Sequence, residues 1–181
     1  MIEQRSIWVF STVFDFSFDV EKILSLEEEI YNTTPTEHGF YMHRADTNDM
    51  TQDILMLKDL SCLEKVNEYV APILLTPEHS IGFENVNPNQ KVDLHNDFLF
   101  SWNNPFTRKA NILFNLNDFP VYIIHQDPKH NKYINPQQIM VLDVTKQHGC
   151  DHRNIDQLTK LFTINIRKTY DDTVSYIQSI I

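Results

Sequence analysis

Apolar positions recur along this chain with two different periods, and the change from one to the other falls near residue 77. Residues 6–18, SIWVFSTVFDFSF, are aromatic and β-branched with partial alternation, the pattern of a strand. Over 20–31 the residues Val20, Ile23, Leu24, Leu26 and Ile30 have the spacing of an amphipathic helix, with Asp19 as its N-cap. Residues 32–56 are polar and turn-rich and read as loop, with room for short regular pieces. LSCLEKVNEYVAPILL (60–75) returns to helical spacing, with Ser61 and Glu64 as a capping box and Pro72 at the last turn or a kink. After Pro77 the runs become short and β-type: HSIGFENVN, KVDLHNDFLF, RKANILFNLND, VYIIHQD, QQIMVLDV and LFTINIR. Turn-forming NPNQ, NNPF, NDFP, DPKHNK and NPQQ lie between them.

Helices followed by strands is an α+β order, and six or more antiparallel strands at this spacing close as a sandwich or barrel. The expected architecture is one domain over 1–181. An N-terminal strand and supporting helices (1–76) would pack on one sheet of a jelly-roll core (77–170), leaving 171–181 as a C-terminal tail.

Composition narrows the function more than the fold. Hydrophobic residues make up 41% and charged residues 22%, enough for one sizeable core. Only 3 Gly are present and no Gly-rich phosphate loop occurs, so nucleotide binding of that kind is not expected. A net charge of −10 and a pI near 5.1 oppose a phosphate backbone, which disfavours nucleic acid as partner. Cys62 and Cys150 form no CxxC, consistent with reduced thiols in a cytoplasm-like compartment. The apolar N-terminus is broken by Asp15 and has no basic region or cleavage site, so no signal peptide is expected. No run of about 18 apolar residues that could span a membrane occurs.

Within KVDLHNDFLF, His95 and Asp97 stand two apart, so on a strand both point to one side and can reach one ion. With 8 His and 15 Asp in the chain, such a triplet is roughly an even bet by chance. A third ligand has to come from elsewhere, and His148 stands 51 residues beyond Asp97, with His152 in reserve. Two imidazoles and one carboxylate form the facial triad that leaves positions open on Fe(II), whereas structural zinc closes its shell with four ligands. Asp93 shares the strand face of His95. His125 and His130 read as surface loop residues, and Phe98, Phe100, Trp102 and Phe114 as core or pocket wall.

The order His-x-Asp, about fifty residues, His, then a β-run ending in a basic residue resembles the double-stranded β-helix 2-oxoglutarate/Fe(II) dioxygenases. RKANILFNLND (108–118) resembles the strand "RKLTLLIYLN" that follows the metal motif in prolyl-hydroxylase-like members. NPQQIMVLDVTKQHGC resembles their approach to the distal His, and LFTINIR (161–167) their final strand, which carries the anchor for the co-substrate carboxylate. The resemblance spans roughly residues 60–170. It implies iron held by His95, Asp97 and His148, with 2-oxoglutarate and O₂ as co-substrates for hydroxylation of a C–H bond. The family's basic anchor falls at Leu161. Arg167 shares that face by alternation while Lys160 does not, and Lys109, on the face of Asn111 and Asn115, is the other candidate cation. The substrate fitting an acidic chain is a peptide side chain or a small molecule. Two other readings stay open: a cupin-like binding or assembly module without turnover, and a metal enzyme of this fold that does not use 2-oxoglutarate.

Overall fold

A computed structural model describes residues 10–32, 40–46, 50–57, 80–97 and 109–181. The strands are β1 (Ser11–Asp15), β2 (Phe40–Asp46), β3 (Met50–Leu57), β4 (Ser80–Val86), β5 (Lys91–His95), β6 (Ala110–Asn115), β7 (Val121–His125), β8 (Lys132–Ile134), β9 (Gln138–Asp143), β10 (His148–Asp151) and β11 (Thr159–Ile166). The helices are α1 (Val20–Asn32) and α2 (Tyr170–Ile180). Strands β1-β9-β6-β11-β4-β3-β2 form one sheet and β5-β10-β7-β8 the other, all paired antiparallel. From β4 onward the chain passes back and forth between the sheets, with β4, β6, β9 and β11 in the larger and β5, the β7–β8 hairpin and β10 in the smaller. This winding is the expected jelly roll, a double-stranded β-helix.

Two cores follow from the alternation of each strand. On the outer face of the larger sheet, Ile112, Phe114, Val141, Phe162 and Ile164 are buried under Ile23 and Leu26 of α1 and Ile177 of α2. Asp19 caps α1 as its sequence predicts, accepting from the Lys22 amide at 3.0 Å. Between the sheets lie Val86, Leu113, Val121, Ile123, Ile134, Met140, Leu142, Val144, Cys150 and Leu161.

The structure departs from the sequence pattern at several places. Residues expected to be loop supply β2 and β3, which pair with each other and add to the edge of the larger sheet through β4. The expected C-terminal tail is α2, capped by Thr169, whose hydroxyl accepts from the Asp172 amide at 3.2 Å. Apolar Val174, Ile177 and Ile180 on one face of α2 give it a place on the same core as α1. HGCDH, turn-like in sequence, is the central strand β10, held by pairing on both sides. The expected helix over 60–75 lies outside the described residues, as do Phe98, Phe100 and Trp102.

Candidate metal centre

The smaller sheet brings three histidines onto one rung. His148 of β10 pairs with His95 of β5 on one side and with His125 of β7 on the other. Strict alternation would turn His95 away from the interior, because Val92, three residues earlier, already faces inwards towards Cys150. A β-bulge corrects this: Asp93 and Leu94 together oppose the single residue Gly149. The register shift points His95 inwards beside His148, their ring centroids 4.7 Å apart. Gly149 is required there, since a Cβ would lie 2.4 Å from the Val92 carbonyl oxygen.

Asp97 completes the group. One of its oxygens, Oδ1, is 3.4 Å from His95 Nε2 and 3.8 Å from His148 Nε2. The donor atoms of His95, Asp97 and His148 all lie within 4.8 Å of one another, a group that could hold a metal ion. Backbone carbonyls orient both rings: Nδ1 of His95 is 2.8 Å from the Asp93 oxygen, and Nδ1 of His148 is 2.9 Å from the Lys146 oxygen. With Nδ1 as donor in both, each Nε2, once deprotonated, can turn its lone pair to a metal on the side occupied by Asp97. The other Asp97 oxygen accepts from Asn111 Nδ2 at 3.2 Å, and its backbone amide donates to the Val144 carbonyl at 3.2 Å.

Electrostatics agree with a cation at this place. The hydrogen bond to the Asp97 carboxylate holds the His95 pKa above the ordinary histidine value. Burial pulls that of His148 below it, against the opposing pull of Asp97. His148 is buried, Asp97 half-buried and His95 exposed, so the group sits at the mouth of the sandwich. Two imidazole nitrogens, one carboxylate and prepared second partners fit a divalent transition metal.

Other candidates take different positions. His152 is buried beyond the end of β10 and is not part of the trio. Asp93 is exposed and serves His95 through its backbone. His130 packs against Phe10 with ring centroids 4.5 Å apart. His125, expected on the surface, is instead 3% exposed at the C-terminal end of β7, with Nε2 at 3.2 Å from Ser11 Oγ. Burial lowers its pKa to about 4, so it is neutral at pH 7. Its place on an inward position of VYIIH was the available signal, since Val121 and Ile123 precede it at period two.

The basic residues weighed for the co-substrate lie near the ends of β6 and β11. Lys160 donates to Glu27 of α1 at 3.2 Å, on the outer face. The amide of Lys109 donates to the Ile166 carbonyl at 3.0 Å, one residue out of register with the Ile166–Ala110 pair that ends the β6–β11 ladder, so Lys109 stands just before β6 and Arg167 just past β11. Lys109 is exposed and Arg167 half-buried. Asn111 pairs with Asn165 one step further in, and both are buried. Leu161 is 3% exposed in the inter-sheet core.

No protein-family model and no curated protein matches the chain. Solved structures do. A prolyl-4-hydroxylase from Pseudomonas putida superposes with a TM-score of 0.51 at 12% identity, covering 87% of this chain and 92% of that one. A 2OG-Fe(II) oxygenase family oxidoreductase from Burkholderia pseudomallei gives a TM-score of 0.52 at 9% identity, covering 87% and 83%. AerE from Microcystis aeruginosa gives 0.48 at 12% identity, where the match covers 73% of this chain and about half, 49%, of AerE. The chain thus shares the double-stranded β-helix fold of the 2-oxoglutarate/Fe(II) oxygenases. Among the described residues no helix is long and apolar enough to cross a membrane.

Proposed function

We propose that this protein is a non-haem Fe(II) oxygenase that uses 2-oxoglutarate and O₂ to hydroxylate a peptide side chain or small molecule. The observation that carries the reading is the convergence of His95 Nε2, His148 Nε2 and Asp97 Oδ1 at the mouth of a double-stranded β-helix. Bound there, iron would supply the oxygen chemistry and keep positions open for a chelating 2-oxo acid and O₂.

The chain's own residues position and shield. The Asp93 and Lys146 carbonyls hold the two rings in the tautomer that leaves Nε2 free for a metal. Asn111 keeps Asp97 turned so that one oxygen faces both imidazoles. The apolar inter-sheet core closes the inner side of the site against water, which strengthens every charge interaction at its rim. Arg167, just past the end of β11, and Lys109, just before β6, are the cations that would take a co-substrate carboxylate.

The test is anaerobic addition of Fe(II) and then 2-oxoglutarate, followed by the weak visible charge-transfer band of the chelate. A band that is lost in His95→Ala is the expected result. A protein that binds Fe(II) yet gives no band is instead a metal enzyme or binding module of this fold without 2-oxoglutarate, a reading favoured by Leu161 standing where the family carries its anchor.

A further inference from the structure

The outer face of the smaller sheet carries a cleft in which the candidate metal centre has no part. Val121, Ile123, Ile134 and Cys150 face the inter-sheet core, so alternation turns Tyr122, Tyr133 and Asp151 outwards. With Arg153, Asn154 and Ile155 of the loop after β10, they line a cleft of about 400 Å³. Asp151 stands three residues beyond His148 on β10, about 10 Å along the strand, and on its opposite face.

The cleft combines an aromatic platform with a fixed pair of charges. Tyr122 and Tyr133 are direct partners across the β7–β8 ladder, and their rings stack with centroids 4.6 Å apart and planes at 30°. Tyr133 is 57% exposed, the one exposed aromatic among the described residues. On the facing wall the Arg153 guanidinium donates to the two oxygens of Asp151, from Nε at 2.9 Å and from Nη2 at 2.6 Å. The pair carries no net charge, yet it keeps carboxylate lone pairs and guanidinium N–H groups for a further partner. Its loop is pinned, since the His152 amide donates to the Gln90 carbonyl at 3.0 Å and the Asn89 amide to the Ile155 carbonyl at 2.7 Å. A site ordered in advance loses little entropy when it is filled. A phosphate would meet the Asp151 carboxylate and a cation the Arg153 guanidinium, so a charged ligand loses on one what it gains on the other. A proline side chain would use the tyrosines and leave the ion pair idle. The C–H face of a pyranose suits the tyrosine ring, and its neighbouring hydroxyls, each both donor and acceptor, suit the pair.

We propose that this cleft binds an uncharged saccharide, with one sugar ring against Tyr133 and its hydroxyls shared between Asp151, Arg153 and Asn154. The sugar lies across the sheet from the metal centre, so it is held there and not oxidised. The site stands whether or not the oxygenase reading does.

The test probes an array of immobilised neutral oligosaccharides with the fluorescently labelled full chain, and then titrates the best-bound oligosaccharide in solution. At least one neutral oligosaccharide binds. Tyr133→Ala and Arg153→Gln, both at exposed positions, each weaken that binding by about tenfold or more, while His95→Ala changes it by less than about threefold. A proline-rich decapeptide, run as the competing probe, does not displace the sugar. The proposal is overturned by an array on which no neutral oligosaccharide is bound, or by binding that Tyr133→Ala and Arg153→Gln leave unchanged. Loss of binding in His95→Ala alone would put the sugar at the metal centre and overturn it too, as would displacement by the decapeptide. Anaerobic Fe(II) titration of the same variants keeps the two sites apart, since Tyr133→Ala and Arg153→Gln bind the metal as wild type does.

Discussion

Gly149→Ala is the smallest change that reaches the candidate metal centre without touching a ligand. Gly149 faces the bulge of β5, and a Cβ there would sit 2.4 Å from the Val92 oxygen, 3.0 Å from the Asp93 oxygen and 3.2 Å from the Asp93 carbonyl carbon. All three are backbone atoms, so no side chain can rotate aside. The 2.4 Å approach has to open beyond 3.0 Å, which displaces β5 by at least about half an ångström. The Asp93 oxygen is also the partner that orients His95, so the displacement passes directly to a candidate ligand. Overpacking of this kind costs about 1–3 kcal/mol. A ligand set must be held to within about 0.5 Å, so metal affinity falls by about tenfold or more. Urea unfolding gives the first quantity and competition against a chelator the second. Unfolding within about 0.5 kcal/mol of wild type together with unchanged metal affinity would refute the bulge as the device that aims His95.

Further outcomes follow from the same geometry. Asn111→Ala releases the second oxygen of Asp97 and lowers metal affinity by about 10–100-fold, read by the same competition assay. His125 has its folded pKa lowered to about 4 against about 6.5 unfolded, so its contribution is complete at pH 7 and is lost as pH falls through that window. The stability difference between wild type and His125→Asn should therefore shrink by up to about 1.4 kcal/mol per pH unit between 6.5 and 4, and a constant difference would count against it. Burial pushes the Cys150 thiol up to about 12. In a Cys62→Ser background it should resist Ellman's reagent at pH 8 until urea is added, and rapid labelling of the native protein would contradict the placement.

The jelly-roll core was legible because its strands bury side chains on alternate positions, so ANILFN, QIMVLD and LFTINI announce themselves by composition. What escaped was held by pairing. Phe40–Asp46 and Met50–Leu57 carry mixed polar sequences, and it is hydrogen bonding to each other and to β4 that makes them strands. HGCD has weak strand propensity, yet it occupies the centre of the smaller sheet because β5 and β7 both pair with it. His-x-Asp could be read from i, i+2 spacing, but the bulge that turns His95 inwards depends on Gly149, 54 residues away from it in the chain. The choice between Arg167 and Lys109 could not be made from alternation within each strand. Register does not make it either, because the β6–β11 ladder ends at Ile166 and Ala110, one residue short of both.

The most direct measurement is a calorimetric Fe(II) titration, under anaerobic conditions, of the wild type and of His95→Ala, Asp97→Ala and His148→Ala, each checked for folding by circular dichroism. One equivalent bound by the wild type, with affinity lowered by more than about a hundredfold in every variant, is the expected result. A wild type that binds no Fe(II), or a folded His148→Ala that binds it as tightly as wild type, would contradict the metal centre.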